Sequence, residues 1–563
     1  PTNTRTVRTQ PVVFSQADPH ALFYATNVLW KTIDGGIHWK QISPDLTRKT
    51  HDVPPNIGKY SEAAKAQVDT NSARVIYTIG PSYKDINRIW AGTDDGVIQT
   101  TADGGLTWSD VTPKQMKSYA KVFTIDPGRF DALTAYAAVN TLRLDDQNPH
   151  IYRTHDAGKT WTEIVNGIPG GNAVSVVRED SKKKGLLFAG TETQVYFSVD
   201  DGDHWQSLRL NMAPSSVRDM VVKDDDLVAG THGRGIWILD DITPLRQIDS
   251  KTGATDLLFA PQPALRVRWN MNTDTPLPPD EPRMPNPPEG AMLNYYLAAD
   301  ATGPVTIEIF DAAKRLVRRY SSTDQVPPLP DPATNSPLPL YWYRQPRHLS
   351  TKAGMHRFMW DVHYQPVPGG GGGGRGGGGG GLPIAAIPFN TVPVPSTPWA
   401  PPGNYTVTLT ANGKSYSQPL TVKQDPRVKT PPLVMQQVYT LSTAAYYEAL
   451  DAGQAARAAQ GLRDQIAALA ATGPAGEVAK SLAAFDAQLT GAGLAAAATG
   501  LSGVMNSLQG ADVTPTAVQL QGIATARRAG TVAMTTWATL KTTGLATVNA
   551  KLKAAGLAPL VVR

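Results

Sequence analysis

The sequence predicts a mainly β, multidomain protein. It should begin with a partial β-propeller of about four to five blades, continue into a β-sandwich of the fibronectin or immunoglobulin type, and end in a C-terminal α-helical bundle. Three observations predict this. One turn motif recurs four times within residues 1–248, alternating apolar runs crowd residues 291–428, and Ala, Leu, Gln and Thr take over across 429–563 with apolar positions at helical spacing.

The four turn segments are Thr32-Ile-Asp34-Gly-Gly36-Ile-His-Trp39, Thr101-Ala-Asp103-Gly-Gly105-Leu-Thr-Trp108, Thr154-His-Asp156-Ala-Gly158-Lys-Thr-Trp161 and Ser198-Val-Asp200-Asp-Gly202-Asp-His-Trp205. All fit Ser/Thr-x-Asp-x-Gly-x-x-Trp. A carboxylate can accept hydrogen bonds from turn N–H groups, and Gly supplies a positive φ. Trp returns on the next strand and offers a large ring for burial between sheets. Asp34, Asp103, Asp156 and Asp200, with Trp39, Trp108, Trp161 and Trp205, are therefore expected to be structural.

Strands repeat around the motif. In the clearest unit Leu186–Thr191 and Gln194–Ser198 are consecutive strands, the Trp205 segment is a third, and Val217–Val222 opens the next unit. Units of about 40–50 residues, each a small antiparallel sheet, read as propeller blades. The segment Leu227–Asp241 should close the array.

Residues 249–290 form a Pro-rich connector that includes Pro276 to Pro288. Across 291–428 the runs Tyr295–Leu297, Val305–Phe310, Leu316–Tyr320, His356–Val362, Tyr405–Leu409 and Pro419–Val422 alternate with one face apolar, and Asn412-Gly413 marks a hairpin. A Gly/Pro-rich segment, 365–402, interrupts them. Its glycine run, Gly369 to Gly381 around Arg375, is not followed by Gly-Lys-Ser/Thr and reads as a linker. Beyond residue 429, Val434, Val438, Leu441, Ala445, Leu462, Ile466 and Leu469 keep helical spacing. Pro474, Gly491, Gly493 and Pro515 divide the region into three or four helices.

Composition narrows function by exclusion. The 563 residues contain no Cys, which removes disulfides, thiolate catalysis and Cys-ligated metals. Lys+Arg 53 against Asp+Glu 48 leaves a net charge of +5, spread too thinly to argue for nucleic acid. No apolar run is long enough for a transmembrane helix. No cofactor is called for; Asp224-Asp225-Asp226 is a weak calcium candidate, better read as a hairpin tip. The opening Pro1-Thr2-Asn3 suggests a processed product, a fragment or an incomplete reading.

In a four-stranded blade the Asp motifs lie in turns between strands three and four, so a groove would be lined by the turns between strands two and three. Those turns are Thr93–Gly96, Asn140–His150, Thr191–Thr193 and Thr231–Arg234; the long link after Ser43 adds Arg48, Lys49, His51 and Asp52. Catalytic candidates are thus Asp94, Asp95, Asp145, Asp146 and Glu192, since paired carboxylates can hydrolyse a glycoside as acid and base or nucleophile. Ligand-binding candidates are Arg143, His232 and Arg234. Each also has a bland reading as a solvated turn residue, and Arg234 as a lock pairing with neighbouring carboxylates to close the array.

The repeat resembles Asp-box (BNR) proteins, which include sialidases, xyloglucanases and sortilin-type propellers. Further segments, Trp39–Thr47, Val177–Asp180, Gly185–Thr193, Ala229–Asp241, Asn404–Val407 and Gln424–Arg427, are similar to the large bacterial sortilin-like "glycosyl hydrolase, BNR repeat" proteins. This resemblance implies a secreted, periplasmic or cell-surface setting. It also implies a chain forming the C-terminal half of a longer protein, its ring completed by an N-terminal propeller half or a companion chain, with homo-oligomers also open. The leading reading is a propeller that binds a peptide, protein or glycan, or serves as an assembly subunit, without catalysis. The alternative is a sialidase- or xyloglucanase-like glycoside hydrolase using the acidic loop residues.

Overall fold

A computed structural model describes residues 4–49, 74–249, 252–268, 290–329, 331, 339–340, 343, 345–367, 397–471, 473 and 476–562. The chain divides into two compact units, Pro1–Thr252 and Gly253–Arg563.

The first unit is an array of five small antiparallel sheets, each a simple meander. The first comprises Val12–Phe14, Leu22–Ala25, Leu29–Thr32 and Lys40–Gln41. The second comprises Ile76–Pro81, Ile89–Thr93, Ile98–Thr101 and Ser109–Asp110. The third runs Lys121–Pro127, Ala135–Asn140, Ile151–Thr154 and Thr162–Glu163. The fourth runs Val174–Glu179, Leu187–Thr191, Val195–Ser198 and Gln206–Ser207. The fifth stops at three strands, Val217–Lys223, Asp226–Thr231 and Ile236–Leu239. Initial strands of successive sheets pack side by side, while the two-residue fourth strands are exposed at the rim. This is propeller architecture, and burial follows it. Ile89–Thr93, Ala135–Asn140 and Leu187–Thr191 are buried at every position because a sheet lies on each face.

In each repeat the Ser/Thr hydroxyl and Asp carboxylate close the turn. Thr154 Oγ1 donates to Asp156 Oδ1 (2.8 Å), Gly158 N donates to Thr154 Oγ1 (2.9 Å) and Thr160 N to Asp156 Oδ1 (2.9 Å). The same set recurs at Asp34, Asp103 and Asp200. The Thr160 hydroxyl and backbone N–H hold the Asp156 carboxyl down at about 2. An acceptor held this firmly in its ionised form is a turn staple.

After the fifth sheet, a short helix, Thr243–Gln247, folds back on the fourth. Its Arg246 grips the fully buried Asp180 through Nη2 (2.8 Å) and Nε (3.0 and 3.1 Å). The closing lock therefore falls on Arg246; the Arg234 side chain is exposed and pairs with no carboxylate among the described residues.

In the second unit a three-stranded and a five-stranded sheet share one apolar core with helical residues Ala445, Tyr446, Met505, Leu508 and Ile523. The region 249–290 is not only a connector. Leu257–Leu258 pairs antiparallel with Ala291–Leu297, and Ala264–Arg266 runs parallel to Lys414–Gln424, so the five-stranded sheet is not wholly antiparallel. The prolines at 276–288, the glycine run and Pro474 lie outside the described residues.

The helices are Pro432–Ala471, Glu477–Gly491, Leu494–Leu508 and Ala517–Thr539, the last continuing through a π-turn, Leu540–Gly544, into Leu545–Ala554. Along Pro432–Ala471 the buried positions keep a three-four rhythm from Met435 to Ile466. Its first half joins the sheet core, and Ala452 onward joins a helical core with Phe485 and Trp537. A Cβ at Gly530 would lie 3.1 Å from Leu501 Cδ1, so small residues set the close helix approach. The loop before Ala517 ends in a reciprocal capping box between Thr516 and Gln519.

Candidate functional site

The turns between second and third strands gather at one end of the first unit's sheets, and most of their acids are already committed to local bonds. Asp95 is 1% exposed; Thr93 Oγ1 (2.5 Å) and the Arg48 N–H (3.0 Å) donate to it. Burial raises its carboxyl against those bonds. Asp94 Oδ1 accepts from Val75 N (2.9 Å). Together these two acids sew the incoming link to the second sheet. Lys49 is among the described residues, but His51 and Asp52 are not.

In the long third-sheet turn, Asn140 Oδ1 accepts from Leu142 N (3.1 Å), opening the single 3-10 turn Leu142–Leu144. Arg143 donates from Nε to the Tyr119 carbonyl (2.8 Å). Asp145 stands exposed at φ 57°. Asp146 bonds Lys117 Nζ (2.6 Å) and His150 Nε2 (3.1 Å), and His150 Nδ1 reaches Glu163 (2.6 Å). Partial burial works against the Asp146 anion, yet Lys117, the Asn148 N–H and His150 outweigh it and hold the carboxyl well below its ordinary range.

Glu192 pairs with Arg218 Nη1 at 3.2 Å. His232 and Arg234 are exposed, with no side-chain partner among the described residues. The turns thus share one end of the array, where Asp94, Asp95, Asp146 and Glu192 are bonded to neighbours and Asp145 is exposed.

Another group, not singled out from the sequence, sits beside these turns on the initial strands. Lys121 Nζ lies 3.3 Å from the centroid of the Tyr77 ring and 5.1 Å from that of Phe123. The two rings meet edge to face at 5.2 Å. Tyr77, Lys121, Phe123 and Arg218 are all half-buried. Burial pushes the Lys121 ammonium down to about 8; nearby Asp94 opposes this, while Arg143 and Arg218 add to it. The signal was present in sequence as the alternation Lys121-Val-Phe123-Thr, in which Val122 and Thr124 take the buried face.

A buried acid at the opposite strand ends also escaped the sequence reading. Glu179, 1% exposed, accepts from Arg129 N (2.7 Å) and Gly185 N (3.2 Å), yet burial pushes it up to about 7. Its own N–H donates to Asp126 Oδ2 (2.8 Å).

The acids of the Asp224-Asp225-Asp226 tip are bonded to neighbouring groups. Lys223 pairs with Asp224 (2.6 Å), Lys182 (2.5 Å) and Arg246 hold Asp225, and Asp226 Oδ1 accepts the Asp241 N–H (2.9 Å). No group of three or more acids and histidines suited to a metal occurs among the described residues.

No family model matches the sequence, and no curated protein matches it. Solved structures to which the chain is similar include the GH74 xyloglucanase of Xanthomonas campestris, at 16% identity over 52% of this chain and 42% of that one, with a TM-score of 0.30. The GH74 enzyme of Niastella koreensis is 15% identical over 74% of this chain and 58% of that one, with a TM-score of 0.30. The β-propeller domain of Myceliophteria thermophila Cps50 (Swd1) is 11% identical over 45% of this chain and 72% of that one, also at 0.30. The chain spans less than two thirds of the two GH74 proteins.

Proposed function

We propose that the first unit is a ligand-binding propeller whose contact surface is the patch of Tyr77, Lys121 and Phe123, flanked by Arg143 and Arg218. Its ligand is a peptide, protein or glycan carrying an acidic group. The observation that carries this reading is the placement of Lys121. Its ammonium rests on two aromatic rings with no carboxylate salt bridge among the described residues, whereas Asp94, Asp95, Asp146 and Glu192 are engaged. A cation seated on aromatic faces can receive an anionic group while the rings stack on a sugar or an apolar side chain. Glycoside hydrolysis needs two carboxyl groups about 5–9.5 Å apart across an accessible cleft. Acids that staple turns or neutralise Lys117 and Arg218 are poorly suited to it. The resemblance carried by the repeat supports an extracytoplasmic setting. Among the described residues no helix is long and apolar enough to cross a membrane.

The test is an isotherm for acidic and neutral members of a peptide and oligosaccharide array. Lys121→Met should weaken the acidic ligands about 10- to 100-fold, the loss of one charge-assisted contact, and spare the neutral ones. Wild-type affinity should fall as pH rises through about 8, where Lys121 loses its proton. Equal binding of acidic and neutral members, unchanged in the variant, would remove the proposal.

A further inference from the structure

Lys121 differs from other lysines of the first unit in what surrounds its amine. Lys117 lies 2.6 Å from Asp146 Oδ2, and Lys182 and Lys223 each pair with an acid of the Asp224-Asp225-Asp226 tip. An ammonium paired in this way keeps its proton and has no lone pair to offer. Lys121 Nζ instead rests 3.3 Å from the Tyr77 ring centroid and 5.1 Å from that of Phe123, and it forms no salt bridge among the described residues. Its strand sets it opposite Asn140, where the second strand of the sheet runs into the turn that carries Arg143.

Desolvation on two rings and the nearness of other cations both disfavour a lysine's charged form. Burial pushes Lys121 down to about 8, with Asp94 opposing and Arg143 and Arg218 assisting. At pH 7 about a tenth of it is therefore neutral amine, against on the order of one in a few thousand for an ordinary lysine. A desolvated lysine beside other cationic groups is an activated nucleophile.

We propose that the Lys121 amine captures, as a reversible imine, an aldehyde that also bears an acidic group. Arg143 and Arg218 hold the acid, as in the binding reading on which this inference rests. Arg143 commits Nε to the Tyr119 carbonyl and Arg218 commits Nη1 to Glu192, so each keeps further N–H groups for an anion. The nitrogen lone pair forms the C–N bond as the carbonyl π pair moves to oxygen. That oxygen takes up the two protons the nitrogen sheds and leaves as water. No oxidant or reductant is consumed, and hydrolysis of the imine returns the aldehyde intact.

The experiment labels the full chain at pH 7 with glyoxylate, an aldehyde carrying a carboxylate, or with propionaldehyde, which has no acid. Cyanoborohydride traps the imines as secondary amines, and peptide mass spectrometry maps them. With glyoxylate, Lys121 should label at least about tenfold faster than the exposed Lys40, Lys84 and Lys159. Its lead over those lysines should shrink with propionaldehyde. Tyr77→Ala, which opens the aromatic seat, should bring Lys121 toward the exposed lysines; if that variant does not fold, the wild-type ranking decides alone. Lys121 labelling no faster than the exposed lysines with glyoxylate, or an equal lead with both aldehydes, would overturn the proposal. Retention of acidic ligands with no adduct at Lys121 would also overturn it, while leaving the binding reading in place. The two readings further separate by pH, since anion binding weakens through about 8 as the amine fraction grows.

Discussion

At the residue scale, the titration of Glu179 is where burial and function can be separated. Its carboxyl is raised from 4.5 to about 7, chiefly by burial, so the folded state holds a proton that the unfolded state releases. Stability from this group is full below pH 4.5 and is lost as pH rises through 7; the shift corresponds to roughly 3 kcal/mol. Urea titrations from pH 4 to 8 should show that decline in the wild type and its loss in Glu179→Gln. Parallel pH profiles would place the proton elsewhere. Lys121 is the counterpart within the binding patch. Neither residue stood out in the sequence, because a single Lys or Glu on an apolar strand shows its burial only once the neighbouring sheet is in place.

At the scale of elements, the turns explain what was legible. Ser/Thr-x-Asp-x-Gly-x-x-Trp fixes local bonds, so strands on either side of Asp103, Asp156 and Asp200 could be laid out from the chain alone. The motif glycines Gly105, Gly158 and Gly202 are fixed by the neighbouring sheet as well as by φ. Gly158 sits at φ 85°, with Val111 Cβ at 2.7 Å from a would-be Cβ. Gly158→Ala should therefore cost about 1–3 kcal/mol in thermal denaturation, combining overpacking and backbone strain. An unchanged Tm would mean that the second and third sheets are not locked at this point. The closing helix was harder to foresee, since Arg246 and Asp180 lie far apart in sequence. Arg246→Ala strands a fully buried carboxylate and should destabilise the protein by about 3–5 kcal/mol. The double variant with Asp180→Ala should recover part of that loss. Strands Leu257–Leu258 and Ala264–Arg266 were missed because two- or three-residue pairings give no periodic signal.

For the whole molecule, the β-to-helical order along the chain was readable from composition and periodicity, whereas the end sheets were not. Strands buried on both faces and strands buried on one look alike in apolar content. Only the structure shows Val12, Phe14, Ile236 and Ile238 left exposed at the two ends of the array. Turn counting put the candidate acids at one end of the sheets, but spacing could not reveal that hydroxyls, amides and basic side chains already hold Asp94, Asp95, Asp146 and Glu192. The central claim is that this propeller surface retains a ligand without converting it. The most direct measurement incubates the full chain with the peptide and oligosaccharide array and follows every bound member by mass spectrometry. The account predicts acidic members recovered intact, with retention lost in Lys121→Met. Cleaved oligosaccharides whose appearance depends on Asp146 or Glu192 would contradict it.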